Sequence, residues 1–146
     1  MENKEDLLDL DYRVLKLIYN NEEELNVGDI AKMLSIPHST AGSCVKRLAD
    51  KGYLIYKQYK NVRLSDKGSD LAIELIRHSQ LLEVLLYNEL GLSVEDAHRE
   101  AEKFNLLFSC NTINKICEKY GHPKLCPCGE EILSTPECFC TLEDQQ

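Results

Sequence analysis

Cys126, Cys128, Cys138 and Cys140 make two C-x-C pairs with nine residues between them. That interval is long enough to fold back and bring four thiolates together, a donor set that suits Zn2+ or an iron–sulfur cluster. Exposed cysteines beside Pro and Gly gain nothing from packing, which weighs against the alternative of four unligated thiols. C-x-C is a weaker signal than C-x-x-C, whose bite fits one tetrahedral ion, so spacing alone does not name the metal. Cys110 and Cys117 are two helical turns apart and share a face that could supply two more thiolates or simply pack. Six of the seven cysteines lie after residue 109. An odd number suits metal binding or redox sensing better than a closed disulfide set, and the skew sets the last third of the chain apart.

A second chemistry sits between Ile36 and Lys67, in IPHSTAGSCVKRLADKGYLIYKQYKNVRLSDK. After a turn at Pro37, Ser39 and Thr40 are N-cap types, and Ala41, Val45 and Leu48 recur at helical spacing to bury one stripe. Cys44 falls with that stripe as filler. Gly42, Ser43, Lys46 and Arg47 lie on the other face, small side chains beside two cations, as a helix pressed into a phosphate-lined groove needs. Gly52 closes the helix. Tyr53 to Lys57, a turn at Tyr59 to Asn61, and Val62 to Leu64 read as a hairpin wing carrying Lys60 and Arg63. The segment Asn26 to Lys67 holds eight Lys or Arg against three Asp, so it stands at +5 within a chain of net charge −8, and the remainder at −13. Screening limits the reach of distant charge to about 8 Å at physiological salt, so a local cationic face on an acidic body still binds phosphate. The competing reading is a winged helix that binds protein.

These groups need elements to hold them. Upstream, Val27, Ile30, Ala31 and Leu34 predict a short amphipathic helix, completing helix, turn, helix, wing. Leu7, Leu10, Val14, Leu17 and Ile18 predict a first helix behind the reader, with Asp9, Asp11, Arg13 and Lys16 mostly off its apolar stripe. Ser69 to Leu90 carries Leu71, Leu75, Ile76, Leu82, Leu85 and Leu86, too apolar for a lone surface helix. Ser93 caps a further helix with Ala97, Ala101, Phe104 and Leu107 or Phe108 on one stripe, and Asn111 to Tyr120 predicts another. Those last helices make too small a core to stand alone, so a core shared between two chains, a homodimer, is expected. No apolar run is long enough to span a membrane, and the opening MENKEDLLDLDY is acidic where a signal peptide is basic and then apolar, which predicts a soluble, cytoplasmic protein. No C-x-x-C, Gly-rich phosphate loop or nucleophile–base spacing points to an enzyme or a small-molecule substrate.

The order of parts, and the strings RHSQLLEVLL, VEDAHREAEKFNLLFS and GHPKLCPCGEEI, resemble the DtxR/MntR family of iron- and manganese-dependent transcriptional repressors over roughly residues 6 to 132. The resemblance implies a divalent metal, a dimer, and repression of metal-uptake genes. It places Ser39, Thr40 and Ser43 where the family reads the groove and Arg47 where it contacts the DNA backbone. The metal ligands depart from the family. The first-helix ligand positions are Arg13 and Lys16, cations with no lone pair to give at neutral pH. On the later helix the matching positions are Glu102, Asn105 and Leu106, of which Glu102 alone is a strong hard-metal ligand. The second family site keeps Glu83 and His98, but Ser79 stands at its leading His position and His78 comes one residue early. Five residues of helix put His78 and Glu83 about 140° apart, so a site from His78, Glu83 and His98 needs a distorted backbone. The plainer alternative is a surface His78 and a His98 hydrogen-bonded between helices. Cys128 replaces the family's usual His and moves that loop toward sulfur ligation.

The expected fold is therefore mostly α with a small β wing. It comprises a winged helix-turn-helix over residues 1–68, an all-helical metal-binding and dimerisation domain over 69–121, and a Cys-rich tail over 122–146. The expected function is a metal- or redox-responsive DNA-binding repressor, acting as a homodimer on a two-fold operator in double-stranded DNA and controlling iron or manganese homeostasis genes. Iron, as Fe2+ or an iron–sulfur cluster, is the leading cofactor, with zinc the alternative. The competing function is a constitutive DNA-binding protein whose tail cysteines hold a structural zinc clip.

Overall fold

The computed structural model describes residues 7–57, 60–103 and 108–135. Six helices and one two-stranded sheet are present among them: α1 (Asp9–Asn20), α2 (Val27–Leu34), α3 (His38–Asp50), β1 (Leu54–Ile55), β2 (Arg63–Leu64), α4 (Asp66–Leu90), α5 (Val94–Glu102) and α6 (Cys110–Lys119). The chain divides into two compact units between Ala72 and Ile73, inside α4.

In the first unit, Asn26 caps α2 by accepting from the Asp29 backbone N–H at 2.8 Å, while Asp29 accepts from that of Asn26 at 3.0 Å. This reciprocal pair satisfies two of the donors a helix start leaves over. Ser35 turns the chain in the left-handed conformation, φ 55°. Pro37 then stands at the N-cap of α3, so Ser39 and Thr40 are first-turn residues and not caps as their type suggested. A proline there has its φ preset for helix entry, and the helix starts as soon as it can. Leu15, Ile30, Val45, Leu48 and Val62 are fully buried between these elements, each contributing on the order of 2 kcal/mol.

The buried face of α1 differs from the expected stripe. It runs through Asp11, Tyr12, Val14 and Leu15, with Leu7 buried just before the helix, whereas Leu10, Leu17 and Ile18 are half-buried. Asp11 is fully buried and Lys16 is buried as well. A pattern of apolar residues cannot report a face whose central member is a carboxylate. The wing is shorter than expected: Leu54 pairs with Leu64 and Ile55 with Arg63, antiparallel, and Val62 bridges to Leu25. Helix α4 begins at Asp66, earlier than Ser69, because Ser65 accepts from the Gly68 N–H at 3.0 Å. A Cβ on Gly68 would lie 1.9 Å from the Tyr53 carbonyl oxygen, so only glycine lets α4 start against the wing.

In the second unit, Leu81, Val84, Ile113, Cys117, Cys126 and Ile132 form one buried cluster, with Ile116 and Tyr120 against it. Residues 122–135 thus contribute to this core. The α4 run Arg77 to Gln80 is buried despite its polarity. Its side chains bond backbone: Gln80 donates to the Glu131 carbonyl and accepts from the Leu133 N–H, both at 2.9 Å, and Arg77 donates to the Leu133 carbonyl at 2.9 Å. These bonds satisfy an irregular segment that has no regular secondary structure to pair with. Ser93 caps α5 as expected, and Ser109 caps α6, which begins at Cys110, one residue before Asn111. Phe104 and Leu107 lie outside the described residues.

Candidate functional site

Two surfaces carry the chemistry. On the first unit, Ser39, Thr40, Ser43 and Lys46 of α3 are all exposed. Ser39, Ser43 and Lys46 share a face at helical spacing, short hydroxyls backed by a cation, so backbone and base edges of a duplex could come close. Lys60 and Arg63 of the wing are exposed. Arg63 has Glu24 at 3.9 Å, with both side chains more than half exposed, a pair worth little in water. Arg47 is engaged differently: its Nη2 donates to Asp11 Oδ1, and that bond holds the guanidinium pKa above its ordinary value. Asp11 also accepts from the Cys44 thiol at 3.2 Å and from the Leu8 backbone N–H at 2.8 Å. Cys44 packs as expected. Burial first, then the Asp11 hydrogen bond, pushes its thiol up to about 12.

On the second unit, the expected ligands separate into two groups. Glu83 of α4, His98 of α5 and Cys128 of the segment after α6 bring a carboxylate oxygen, an imidazole nitrogen and a thiol sulfur within 4.8 Å of one another. Glu83 is buried; it bonds His98 Nδ1 at 2.7 Å and accepts from the Cys128 backbone N–H at 3.2 Å. Glu102 is an exposed outlier, 3.9 Å from His98 Nε2. One oriented carboxylate, one imidazole and one thiol fit a first-row transition ion, and the sulfur disfavours Mg2+, Ca2+ and Mn2+ against Fe2+ or Zn2+. Cys126 lies beside this group, its sulfur 2.7 Å from that of Cys128. Burial, then the Cys128 contact and the Glu83 charge, pushes its thiol up to about 12.

His78 is not part of that group and is not on the surface. It is buried, with Glu74 and Cys110 as its neighbours in a second group within 4.8 Å. The helical phase that set His78 apart from Glu83 is the physical reason. Glu74 escaped the sequence reading, although its position four residues before His78 is the signal that could have found it. Cys117 packs in the core, with His122 Nδ1 at 3.4 Å from its sulfur, and does not join Cys110. Cys138 and Cys140 lie outside the described residues, as do Asn105 and Leu106. Arg13 is exposed and Lys16 buried.

A winged helix-turn-helix in one unit and converging transition-metal donors in the other define a class: DNA-binding regulators with a metal-binding domain. Residues 6–62 match the family model of the iron dependent repressor N-terminal DNA binding domain, and residues 65–134 that of the iron dependent repressor metal binding and dimerisation domain. The chain belongs to the iron-dependent repressor family, whose members are metal-binding, dimerising, DNA-binding transcriptional repressors and not enzymes. It is similar to the HTH-type transcriptional regulator MntR of Lysinibacillus sphaericus, 31% identical over 102 residues that make 70% of this chain and 73% of the relative. The iron-dependent repressor IdeR of Mycobacterium tuberculosis is 29% identical over 130 residues, 87% of this chain and 56% of the relative. A solved manganese-dependent transcriptional repressor complex with manganese superposes with a TM-score of 0.75 at 28% identity, over 86% of this chain and 62% of that one. The chain thus spans little more than half the length of some of its relatives. No helix among the described residues is long and apolar enough to cross a membrane.

Proposed function

We propose that this chain is a cytoplasmic, homodimeric repressor that binds a two-fold DNA operator when Glu83, His98 and Cys128 hold a divalent ion, Fe2+ first and Zn2+ as the alternative, and that it controls metal-homeostasis genes, iron first. The single observation that carries the reading is the convergence of those three donors from α4, α5 and the loop after α6. A bound ion supplies the positive charge that keeps a carboxylate and a thiolate side by side. Glu83 orients both partners, since one oxygen holds His98 and the other the Cys128 N–H. Cys126 packs in the core beside Cys128. The α3 residues Ser39, Thr40 and Ser43 read the groove, while Lys46, Lys60 and Arg63 neutralise phosphates. A DNA-competent population shifts only as far as the ion prefers that state, so sensing requires different metal affinity in the two states.

The test is fluorescence anisotropy of a metal-loaded and a chelator-stripped sample on operator DNA, with metal and acid-labile sulfide analysis of anaerobically purified protein. The reading expects about one Fe2+ or Zn2+ at this group per chain, no labile sulfide, and operator affinity at least tenfold weaker after stripping. Unchanged affinity with the fold intact removes metal sensing and leaves the constitutive DNA-binding protein, with zinc held by the terminal cysteines as a clip.

A further inference from the structure

The second donor group is not accounted for by that function. Glu74 and His78 stand one turn apart on the same face of α4, and Cys110 opens α6 opposite them. The Cys110 sulfur is 3.5 Å from Glu74 Oε1 and 4.0 Å from His78 Nε2. In a tetrahedral site with bonds of about 2.3 Å to sulfur and about 2.0 Å to nitrogen or oxygen, neighbouring ligand atoms stand about 3.5 Å apart. The sulfur–oxygen edge already has that length, and the sulfur–nitrogen edge needs to close by about half an ångström, within the reach of small rotations of Cys110 and Glu74. His78 is buried, whereas Glu74 and Cys110 are half-buried, so the ring is held in place while one side stays open for ion entry and a fourth ligand. The first turn of α6 directs backbone N–H groups toward its start, which favours a negative sulfur there.

We propose that Glu74, His78 and Cys110 form a second transition-metal site, separate from Glu83, His98 and Cys128. Its O, N, S donor set takes Zn2+ or Fe2+ in preference to Mg2+, Ca2+ or Mn2+. The site clamps the start of α6 to α4, joining residues 32 and 36 positions apart in the chain. It does not depend on occupancy of the first group.

Co2+ is the probe, because a thiolate ligand gives it an intense near-ultraviolet charge-transfer band. The metal-stripped full chain is titrated anaerobically in a Cys126→Ala/Cys128→Ser background, which removes both sulfurs at the first group. The expected result is one Co2+ per chain bound with the band present. Adding Cys110→Ser abolishes the band, and adding Glu74→Gln instead weakens Co2+ binding at least tenfold while circular dichroism remains unchanged. A band that survives Cys110→Ser in that background assigns the sulfur to another cysteine and overturns the proposal, as does a folded Cys126→Ala/Cys128→Ser protein with no band. In the complementary arm, Cys110→Ser alone keeps the band of the first group, and its loss there counts against that group and not against this one.

Discussion

The Asp11–Arg47 pair yields the sharpest quantitative expectation. Replacing Arg47 with alanine removes the cation from a carboxylate with no exposed side-chain surface. Stripping one partner from a fully buried ion pair costs about 3–5 kcal/mol. The guanidinium side is about a third exposed, and Asp11 keeps the Leu8 N–H and Cys44 S–H bonds, so screening and the remaining donors bring the expected cost to about 2–3 kcal/mol. For a unit of this size each kcal/mol moves the midpoint by about 4–8 °C, which gives a drop in Tm of roughly 10–20 °C. The assay is thermal unfolding of the full chain followed by far-ultraviolet circular dichroism, alongside the Asp11→Asn/Arg47→Met double variant. Removing both charges should recover at least half of the loss, because the penalty lies in the unpaired carboxylate and not in the missing arginine. A shift below about 2 °C for Arg47→Ala, or a double variant no more stable than the single one, would refute the reasoning that the pair holds α3 to α1.

Further outcomes concern the same unit. Lys46→Ala should weaken binding to every duplex and lower the salt slope by about one unit, whereas Ser43→Ala should mainly relax base preference; Arg47→Ala, measured cold where it is folded, should change the slope less than Lys46→Ala because Asp11 already holds its charge. Equal losses on operator and random DNA for Ser43→Ala would put the reading face elsewhere. Cys44 has its folded pKa raised from 9.0 to about 12, so above pH 9 the unfolded chain releases a proton that the folded chain keeps. Stability from this thiol is full below that pH and falls as pH rises toward 12. Cys44→Ala should flatten the alkaline limb of a urea-midpoint profile, and an unchanged limb would show that another group titrates there.

Much of the scaffold could be read from residue types alone. The turn at Pro37, the Gly52 stop, the Ser93 cap and the apolar spacing of Val45 and Leu48 each act within a few residues, where local sterics and hydrogen bonding decide. The uneven charge pointed to an exposed cationic surface on α3 and the wing, where Lys46, Lys60 and Arg63 are exposed, because a charge there needs solvent and not a partner. The two donor groups were legible only in part. Helical phase separated His78 from Glu83, but phase cannot say what arrives from another helix.

What the amino-acid order alone determined is the set of elements and the kinds of donor they carry. Which donors meet was decided by packing: Cys128 reaches Glu83 and His98 because residues 122–135 fold into the core beneath α4, and Cys110 reaches His78 because α6 lies along it. The buried Asp11 was decided the same way. A carboxylate on the inner face of α1 reads as a surface residue until α3 supplies Arg47 and Cys44, and neither arginine nor cysteine announces that role from a distance of more than thirty residues. Local order sets what each helix offers; the cost of burying charge and leaving polar groups unpaired selects where it is spent.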